Sequence, residues 1–459
     1  MTRQYPITGY GATPDAGTLQ TKFIQSAIDR CFSDGGGEVV IPRGTFMSGD
    51  IRLRDHVTLR LLSGAVLLGS RDPMDYFNHR SDTLQPIDKA EMTDRRFVSF
   101  HTIENNTSYD PTRVEYEYVR CQSSRWNNAL IRAINAEDVA VVGEKGSIID
   151  GADCFDPEGE EDYRGPHGIT FHDCKNVRFE GYTIRNTGNW AHNLNRCENV
   201  TMENVTVLAG HDGIHMSVCR NIRISDSDFR TGDDCIAGFA NVNTLVERCH
   251  INSSCSAFRF GGTNMLVRDC EICGPGEYGF RGALSREEKA ASAPSPKEGG
   301  RRNMLSAFTY YADYSLPIEE RPGNIVVESC RFRNVDRFLH YNYSGNETWQ
   351  KHRPLSSITF ADIDAEGVRM PLTAYGDKDD KLTMTLRNVR VRFSERPESF
   401  LRLCNHDRVL LENVSVCGIG KDGAMIEEWS DGGVVLRNVA SDAGEEIRRT
   451  DREFVCRAI

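Results

Sequence analysis

The amino-acid sequence predicts an all-β protein, a solenoid of the parallel β-helix type with coils of about 22 residues. A nine-residue unit that begins with Asn recurs along the chain. Its apolar and polar positions alternate, as in a short half-buried strand. Six copies begin at Asn176, Asn199, Asn221, Asn243, Asn264 and Asn324. The first five copies follow one another at 23, 22, 22 and 21 residues, a spacing that favours stacking of each copy on the last.

Other architectures with short strands fit the pattern less well. Leucine-rich repeats have a similar length, but their Leu-x-x-Leu-x-Leu frame is absent from these units. A β-sandwich with coincidental spacing is the alternative, although sandwich strands have no fixed register of this kind. A solenoid core grows along one axis and need not divide at 459 residues. We therefore expect residues 1–459 to form a single parallel β-helix domain.

Cysteines recur at fixed positions of the unit and support the stacking. Cys174, Cys197 and Cys219 lie two residues before a leading Asn, and Cys249, Cys270 and Cys330 lie six residues after one. Free Cys behaves as a small hydrophobe, so these positions are expected to form interior columns. The 15 cysteines fit either disulfides in an oxidising compartment or reduced thiols in a cytosolic core. Only one C-x-x-C is present, at residues 270–273, so we expect no metal site.

The elements before the repeat follow from local patterns. Residues 21–32 predict a helix, which the glycines at 35–37 end. Its apolar face consists of Phe23, Ile24, Ala27, Ile28 and Cys31. We expect residues 1–55 to form an N-terminal cap region, because the open end of a solenoid exposes strands to other chains. Strands are predicted over 37–41 and 56–68, and regular coils are expected again near Asn135.

Two stretches interrupt the period and predict long loop insertions, residues 71–128 and 284–322. We expect the first half of the second insertion to be mobile. Its aromatic half, around residues 308–311, is expected to fold over a groove, with a solvated insertion as the alternative. Strands are expected to continue over 357–363, 382–393, 409–417 and 433–439, before a short C-terminal cap.

Composition limits the partners. The net charge of −12 and the pI near 5.6 argue against a nucleic acid. No run of about 18 apolar residues is present, so no membrane span is expected. The first residues have no apolar signal-peptide core, and we expect a cytoplasmic protein.

Three aspartates fall into register on the repeat. Asp212 lies in HDGIH, residues 211–215, and Asp233 and Asp234 lie in TGDDC, residues 231–235. Because adjacent coils lie about 4.8 Å apart, these carboxylates are expected in one patch. Like charges this close favour one protonated carboxyl, and an acid beside a carboxylate is what hydrolysis of a glycosidic bond requires. Capping of backbone N–H groups is the alternative for an Asp pair in a turn.

These motifs resemble glycoside hydrolase family 28, the polygalacturonase and rhamnogalacturonase family, from about residue 8 to residue 440. The resemblance rests on DGI at 212–214, CRNI at 219–222 and TGDDCIA at 231–237, with further similarity at 9–12, 18–29, Trp190, His192 and 197–200. It implies a right-handed parallel β-helix and inverting hydrolysis of pectin-related oligosaccharides that contain uronate or rhamnose. In that mechanism Asp233 is the general acid, and Asp212 with Asp234 holds the attacking water. We expect no cofactor.

The chain departs from this family where the substrate carboxylate is held. The usual Asn-Thr-Asp-Gly is GHDG at 210–213, the usual Gly-His-Gly is SCS at 254–256, and the usual Arg-Ile-Lys is RGA at 281–283. These losses argue against ordinary polygalacturonan cleavage. The candidate substrate-binding residues that remain are His211, His215, Arg259 and Arg281, with surface histidines and surface salt bridges as the alternatives. Arg259 lies between two phenylalanines, so strand alternation points it away from them.

Two other classes of function fit parts of the sequence. A Ca²⁺-dependent polysaccharide lyase shares the β-helix, and clustered carboxylates suit a hard cation. A non-catalytic carbohydrate-binding β-helix would explain the missing family residues. The retained aspartates favour a hydrolase, and a cytoplasmic hydrolase would meet imported fragments. We therefore expect an exo-acting enzyme whose partner is an oligosaccharide.

Overall fold

The fold is described from a computed structural model that covers residues 2–76, 128–160, 163–285, 287–288, 300–312, 320–343, 353–430 and 432–450. The chain forms two compact units. Unit 1 comprises Met1–Asp233, Tyr278–Arg301 and Ser315–Pro317, and unit 2 comprises Asp234–Glu277, Arg302–Tyr314 and Ile318–Ile459. The prediction of one domain over residues 1–459 stays a prediction.

Unit 1 is built from short strands that pair in parallel with the strands one coil before and one coil after. The register is continuous, so that Arg132, Thr170, Asn193 and His215 follow one another on one ladder. The strands are Gln4–Pro6, Gly37–Ile41, Gly44–Ser48, Ile51–Arg52, Val57–Leu61, Ala65–Gly69, Ala129–Ile134, Glu137–Gly143, Ile148–Asp150, Phe155–Glu160, His167–His172, Lys175–Glu180, Thr183–Arg185, His192–Asn195, Glu198–Glu203, Thr206–Ala209, Ile214–Ser217, Arg220–Ser225 and Asp228–Thr231. Parallel strands at a coil-length spacing confirm the predicted right-handed parallel β-helix.

The predicted N-terminal helix is present and spans Thr21–Ser33. Ile24, Ala27, Ile28 and Cys31 are buried on its inner face, as the apolar pattern predicts. Short 3₁₀ helices span Ile7–Tyr10, Pro73–Asp75 and Arg281–Ala283. None of the described helices is long and apolar enough to cross a membrane.

Unit 2 repeats the same construction with longer strands. They are Ile236–Glu247, His250–Ser253, Ser256–Arg268, Glu271–Cys273, Met304–Tyr310, Gly323–Glu328, Arg331–Arg333, Val335–Asn342, Ser357–Val368, Leu372–Tyr375, Leu382–Phe393, Ser399–Cys404, His406–Cys417, Ala424–Glu428, Gly433–Ser441 and Glu445–Arg449. Strands longer than predicted are found at Ser357–Val368, against the predicted 357–363, and at His406–Cys417, against the predicted 409–417.

The predicted insertions need two corrections. Coils resume at Ala129, six residues before the predicted Asn135. The aromatic run at 308–311 does not fold over a groove, because Met304–Tyr310 is a strand of the solenoid whose Phe308 and Tyr310 are 1% exposed. Residues 77–127, most of the first predicted insertion, lie outside the described residues, as do residues 289–299, the predicted mobile segment, and the C-terminal residues 451–459.

The repeated Asn has a clear structural reason. It adopts a left-handed backbone in each copy, with φ of 54° at Asn176 and Asn199 and 56° at Asn221. Asn pays less than most residues for this conformation. Its side-chain amide donates to the Asn one coil earlier, at 3.0 Å from Asn199 to Asn176 and 3.1 Å from Asn221 to Asn199. The Asn column therefore fixes both the turn and the register of successive coils.

The predicted interior columns are confirmed. Cys174, Cys197 and Cys219 are 0% exposed, and Cys249, Cys270 and Cys330 are 3% exposed or less. The Cys197 amide N–H donates to the Cys219 sulfur at 3.4 Å, so the thiols of unit 1 stack across coils. The described cysteines are free thiols, which removes the disulfide alternative for them.

The Asn column predicts how substitutions rank in stability. Asn199→Ala loses the amide bonds and also places an alanine at positive φ, so we expect a loss of about 2–3 kcal/mol in the free energy of unfolding. Asn199→Gly tolerates the backbone and should lose only about 1 kcal/mol. Urea unfolding of both variants measures the difference, and an alanine variant as stable as the glycine variant would contradict this explanation.

Candidate functional site

Two of the three predicted catalytic aspartates lie on stacked turns of unit 1. Strands Thr206–Ala209 and Asp228–Thr231 pair in register, with Ala209 opposite Thr231. The Gly232 amide then donates to the Ala209 carbonyl at 2.9 Å, which continues the pairing past the strand ends. Asp212 and Asp233 follow on these two turns, one coil apart, as the 21-residue spacing predicts.

Gly232 makes the close approach of these turns possible. A Cβ at this position would lie 2.5 Å from the Gly210 carbonyl oxygen and 2.4 Å from that of Gly279. Carbon atoms do not approach backbone oxygens this closely, so only glycine fits. Each turn therefore begins with a glycine, at 210 and 232, that allows the coils to stack tightly where the aspartates are carried.

Asp212 is buried and held by a histidine. It is 3% exposed, and its Oδ2 lies 3.2 Å from Nδ1 of His215, which is 1% exposed. The His215 ring stacks on the indole of Trp190, with centroids 3.9 Å apart and an interplanar angle of 1°. Such a stack fixes the plane of the imidazole and therefore the direction of its Nδ1. This contact makes His215 a positioning residue for Asp212.

A second histidine orders the backbone around Asp212. His192 is fully buried, and burial lowers its pKa to about 4, so the ring is neutral at pH 7. Its Nδ1 lies 3.0 Å from the Gly213 carbonyl, which can only accept, so Nδ1 carries the proton. Nε2 then accepts from the Tyr182 hydroxyl at 2.8 Å. This chain of bonds secures the turn that follows Asp212.

Asp233 is more open than Asp212 and faces a cation that the sequence did not reveal. Arg164 Nη2 lies 3.8 Å from Asp233 Oδ2, and the Asp233 side chain is 16% exposed. Arg164 also donates through Nη1 to Asn189 Oδ1 at 3.2 Å. It lies outside the repeat, in a segment where Phe155 and Arg164 form an antiparallel bridge. No periodic signal marks such a residue.

Asp234 follows Asp233 directly in the chain and is described with unit 2. Its Oδ1 accepts the Ser256 backbone N–H at 3.0 Å, and its Oδ2 lies 3.9 Å from Nε of Arg259. The Arg259 guanidinium lies over the Tyr311 ring, 4.2 Å from the centroid, and its side chain is 23% exposed. Alternation points Arg259 away from its buried neighbours, as predicted, and leaves a cation accessible beside Asp234.

The remaining predicted residues are more buried than a surface role allows. His211 is 2% exposed, and its ring lies 5.8 Å from that of Tyr163, so neither predicted histidine is a surface residue. Arg281 is 4% exposed, and its Nη1 forms an ion pair with Asp153. Burial raises the pKa of the Asp153 carboxyl, and the Arg281 charge opposes that rise. The surface salt bridge considered for Arg281 is therefore a buried one, and its contact with substrate stays a prediction.

Comparisons with known proteins find relatives of part of this chain. Residues 101–255 match the family model described as glycosyl hydrolases family 28. An exo-poly-alpha-D-galacturonosidase of Dickeya chrysanthemi is 30% identical over 257 residues, 50% of this chain and 41% of that protein. A probable polygalacturonase of Vitis vinifera is 25% identical over 242 residues, 50% of this chain and 43% of that protein. The chain thus spans less than half the length of these two relatives.

A solved structure shows the same fold along nearly the whole chain. The family 28 exopolygalacturonase of Yersinia enterocolitica superimposes with a TM-score of 0.60 at 17% identity. The match covers 96% of this chain and 78% of that protein. At this identity the likeness shows the fold alone.

The contact between His215 and Asp212 generates a kinetic prediction. His215→Phe keeps a ring against Trp190 but removes Nδ1, so we expect about a tenfold or greater loss in kcat on a cleaved sugar, with little change in KM. His215→Asn replaces the donor near the Nδ1 position and should recover part of the loss. A raised KM with unchanged kcat in His215→Phe would instead support the substrate-binding role that the sequence predicted.

Proposed function

We propose that this chain is a glycoside hydrolase of family 28 that hydrolyses O-glycosidic bonds in pectin-related oligosaccharides by an inverting acid/base mechanism. The observation that carries the proposal is the stacking of the Asp212 and Asp233 turns in unit 1, with Asp234 joined to Asp233 by one peptide bond. The proposal of a pectin-related substrate is supported by two relatives, a probable polygalacturonase and an exo-poly-alpha-D-galacturonosidase.

The proposed chemistry assigns a proton transfer to each side of the bond. Asp233, the more exposed carboxyl, donates a proton to the leaving oxygen as that bond breaks. Asp212 and Asp234 accept hydrogen bonds from the attacking water, and one of them takes its proton as the new C–O bond forms. The Asp212 carboxylate is held in one orientation, because His215 contacts it and His192 bonds to the turn that follows it.

Arg259 supports an acidic substrate in this proposal. It is a half-exposed guanidinium beside Asp234, held over the Tyr311 ring. Arginine binds a carboxylate through two parallel N–H groups, which suits the carboxylate of a uronate. Residue 283, a lysine in the family motif, is alanine here. A cation on another strand, Arg259, would then take the place of that lysine.

The aspartates provide the direct test. Asp233→Asn, Asp212→Asn and Asp234→Asn should each lower kcat by about 10²–10⁴-fold, since each removes a proton donor or acceptor from the reaction. Released reducing ends from galacturonate and rhamnogalacturonate oligomers give the rates, and circular dichroism shows whether each variant is folded. Arg408→Gln, an exposed change in unit 2, serves as the control. Near-normal rates in two of the three Asp variants would overturn the assignment.

The products separate hydrolysis from the alternatives. We expect release of sugars from one chain end with inversion at the anomeric carbon, visible by NMR in the first minutes of reaction. A Ca²⁺-dependent lyase would instead create an unsaturated uronate with new ultraviolet absorbance and would stop when a chelator is added. Random internal cuts in long polymer would contradict exo action, and binding without any cleavage would favour a non-catalytic carbohydrate-binding protein.

A further inference from the structure

Four strands of unit 2 each place two side chains, three residues apart, on one face. These pairs are Ser256 and Arg259, Ser306 and Thr309, Arg337 and His340, and Ser399 and Arg402. Between the members of each pair lie two buried apolar residues. The members touch each other in three of the pairs, as Ser306 with Thr309, Arg337 with His340, and Arg402 with Ser399. The shared contacts confirm that both members face the same side.

The pairs stack into two columns through the strand register. Ser256, Ser306 and Arg337 are successive partners in the first column. Arg259, Thr309, His340, Thr373 and Arg402 are successive partners in the second column. Arg337 therefore takes the place that serine occupies in the coils on its N-terminal side. It lies two coil spacings, roughly 10 Å, from the coil whose Ser256 amide holds Asp234.

The hydrogen-bond partner of Arg337 among the described residues is a neutral histidine. Arg337 Nη1 lies 3.0 Å from His340 Nδ1, which also lies 2.8 Å from the Thr373 hydroxyl. A guanidinium can only donate, so Nδ1 is the acceptor and the proton of the neutral ring is on Nε2. Burial, assisted by the charge of Arg337, lowers the pKa of His340 to about 3. The histidine therefore contributes no charge and keeps an Nε2–H donor.

No carboxylate within the described ranges forms an ion pair with Arg337, although the side chain is half-buried. Its neighbour in sequence, Asp336, directs one oxygen to Arg369 at 3.2 Å and the other to Asn303. Arg402, by contrast, is matched by Glu427 at 3.1 Å and Glu398 at 3.6 Å. Burial lowers the pKa of Arg337; Tyr375 and the Asp336 charge oppose this lowering, and the nearby Arg402 charge adds to it.

A half-buried cation without a counter-charge is costly, and proteins keep such groups where a ligand supplies the opposite charge. We propose that Arg337, with His340 and Thr373, forms a binding subsite for the carboxylate of an acidic sugar, about two coils from the Ser256 and Arg259 pair. The subsite rests on the proposed function, since the sugar is a further unit of the same oligosaccharide. The guanidinium would donate two hydrogen bonds to the carboxylate through the N–H groups that do not face His340, and His340 and Thr373 would hold the guanidinium in place.

Binding in the absence of turnover tests the subsite. Titration calorimetry with galacturonate oligomers of one to five units measures Kd for the wild type and for Arg337→Gln, both in the Asp233→Asn background. We expect Arg337→Gln to weaken binding of the longer oligomers by about tenfold or more, the effect of losing one or two charge-assisted bonds. Monomeric galacturonate and neutral galactose oligomers of the same linkage should bind both proteins alike.

Two matched variants complete the test. Arg337→Lys keeps the charge and should recover part of the affinity, and Arg408→Gln removes an exposed arginine of the same unit without effect on Kd. Because no carboxylate in the described part of the chain forms an ion pair with Arg337, Arg337→Gln should unfold at the same or a higher urea concentration than the wild type. Equal Kd values for acidic oligomers in wild type and Arg337→Gln, or equal losses on acidic and neutral oligomers, would overturn the subsite.

The two proposals can fail separately. Acidic oligomers that bind the wild type through Arg337 and are never cleaved would sink the hydrolase function and keep the carboxylate subsite. Cleavage that Arg337→Gln leaves unchanged in KM at every oligomer length would sink the subsite and keep the hydrolase.

Discussion

The left-handed turn at the leading Asn of each coil is the constraint on which the rest of this structure depends. A β-helix has no fixed register unless something prevents one strand from slipping along the next, since a slip of one residue would turn every side chain to the other face. The amides of Asn199, Asn221, Asn264 and Asn324 each donate to the Asn of the preceding coil, at 2.8 Å from Asn324 to Asn264. In each unit this column locks the coils at one register. Cysteines, aromatic residues and aspartates then stack from coil to coil, because each lies a nearly constant number of residues from the Asn turn of its own coil.

The features that repeat were therefore predictable, and the features that do not repeat were not. The period and the alternation predicted the interior cysteine columns and most strands, and an apolar helical face predicted the helix over 21–32, which is observed over Thr21–Ser33. The strand Met304–Tyr310 was missed because residues 284–303 interrupt the count and because its residues, MLSAFTY, do not alternate between apolar and polar. The ion pair between Arg281 and Asp153 joins residues 128 positions apart, and no pattern in the sequence encodes such a contact. The same applies to Arg164, which reaches Asp233 from outside the coils.

Burial explains why the candidate site tolerates departures from the family motifs. The Gly-His-Gly of the family is replaced at residues 254–256, yet Asp234 is anchored there by the backbone N–H of Ser256, which any residue but proline would supply. On the other turn the family Asn-Thr before the aspartate is lost, and Asp212 is held instead by a side chain three residues later. The stacked ring of Trp190 holds the His215 imidazole in the orientation that this contact requires. The residues of the motifs differ from those of the family, but the buried carboxylates of Asp212 and Asp234 each still have a hydrogen-bond donor. A buried charge without a partner would be costly.

The pairing of charges also decides which arginines can give specificity for an acidic sugar. The sequence directed attention to Arg281 because a family motif falls there, but a carboxylate of the protein already faces that guanidinium. A cation that the fold has matched contributes to stability, and its release to a ligand would cost the pair it leaves. A cation that the fold leaves unmatched on a polar face contributes little to stability, and binding of an anion there costs no existing pair. Within the described part of the chain, Arg337, which bonds to a neutral histidine, meets this condition more closely than Arg281. Preference for an acidic sugar therefore depends on which arginines of the stacked face lack a protein carboxylate, and this property is visible only once the coils are in register.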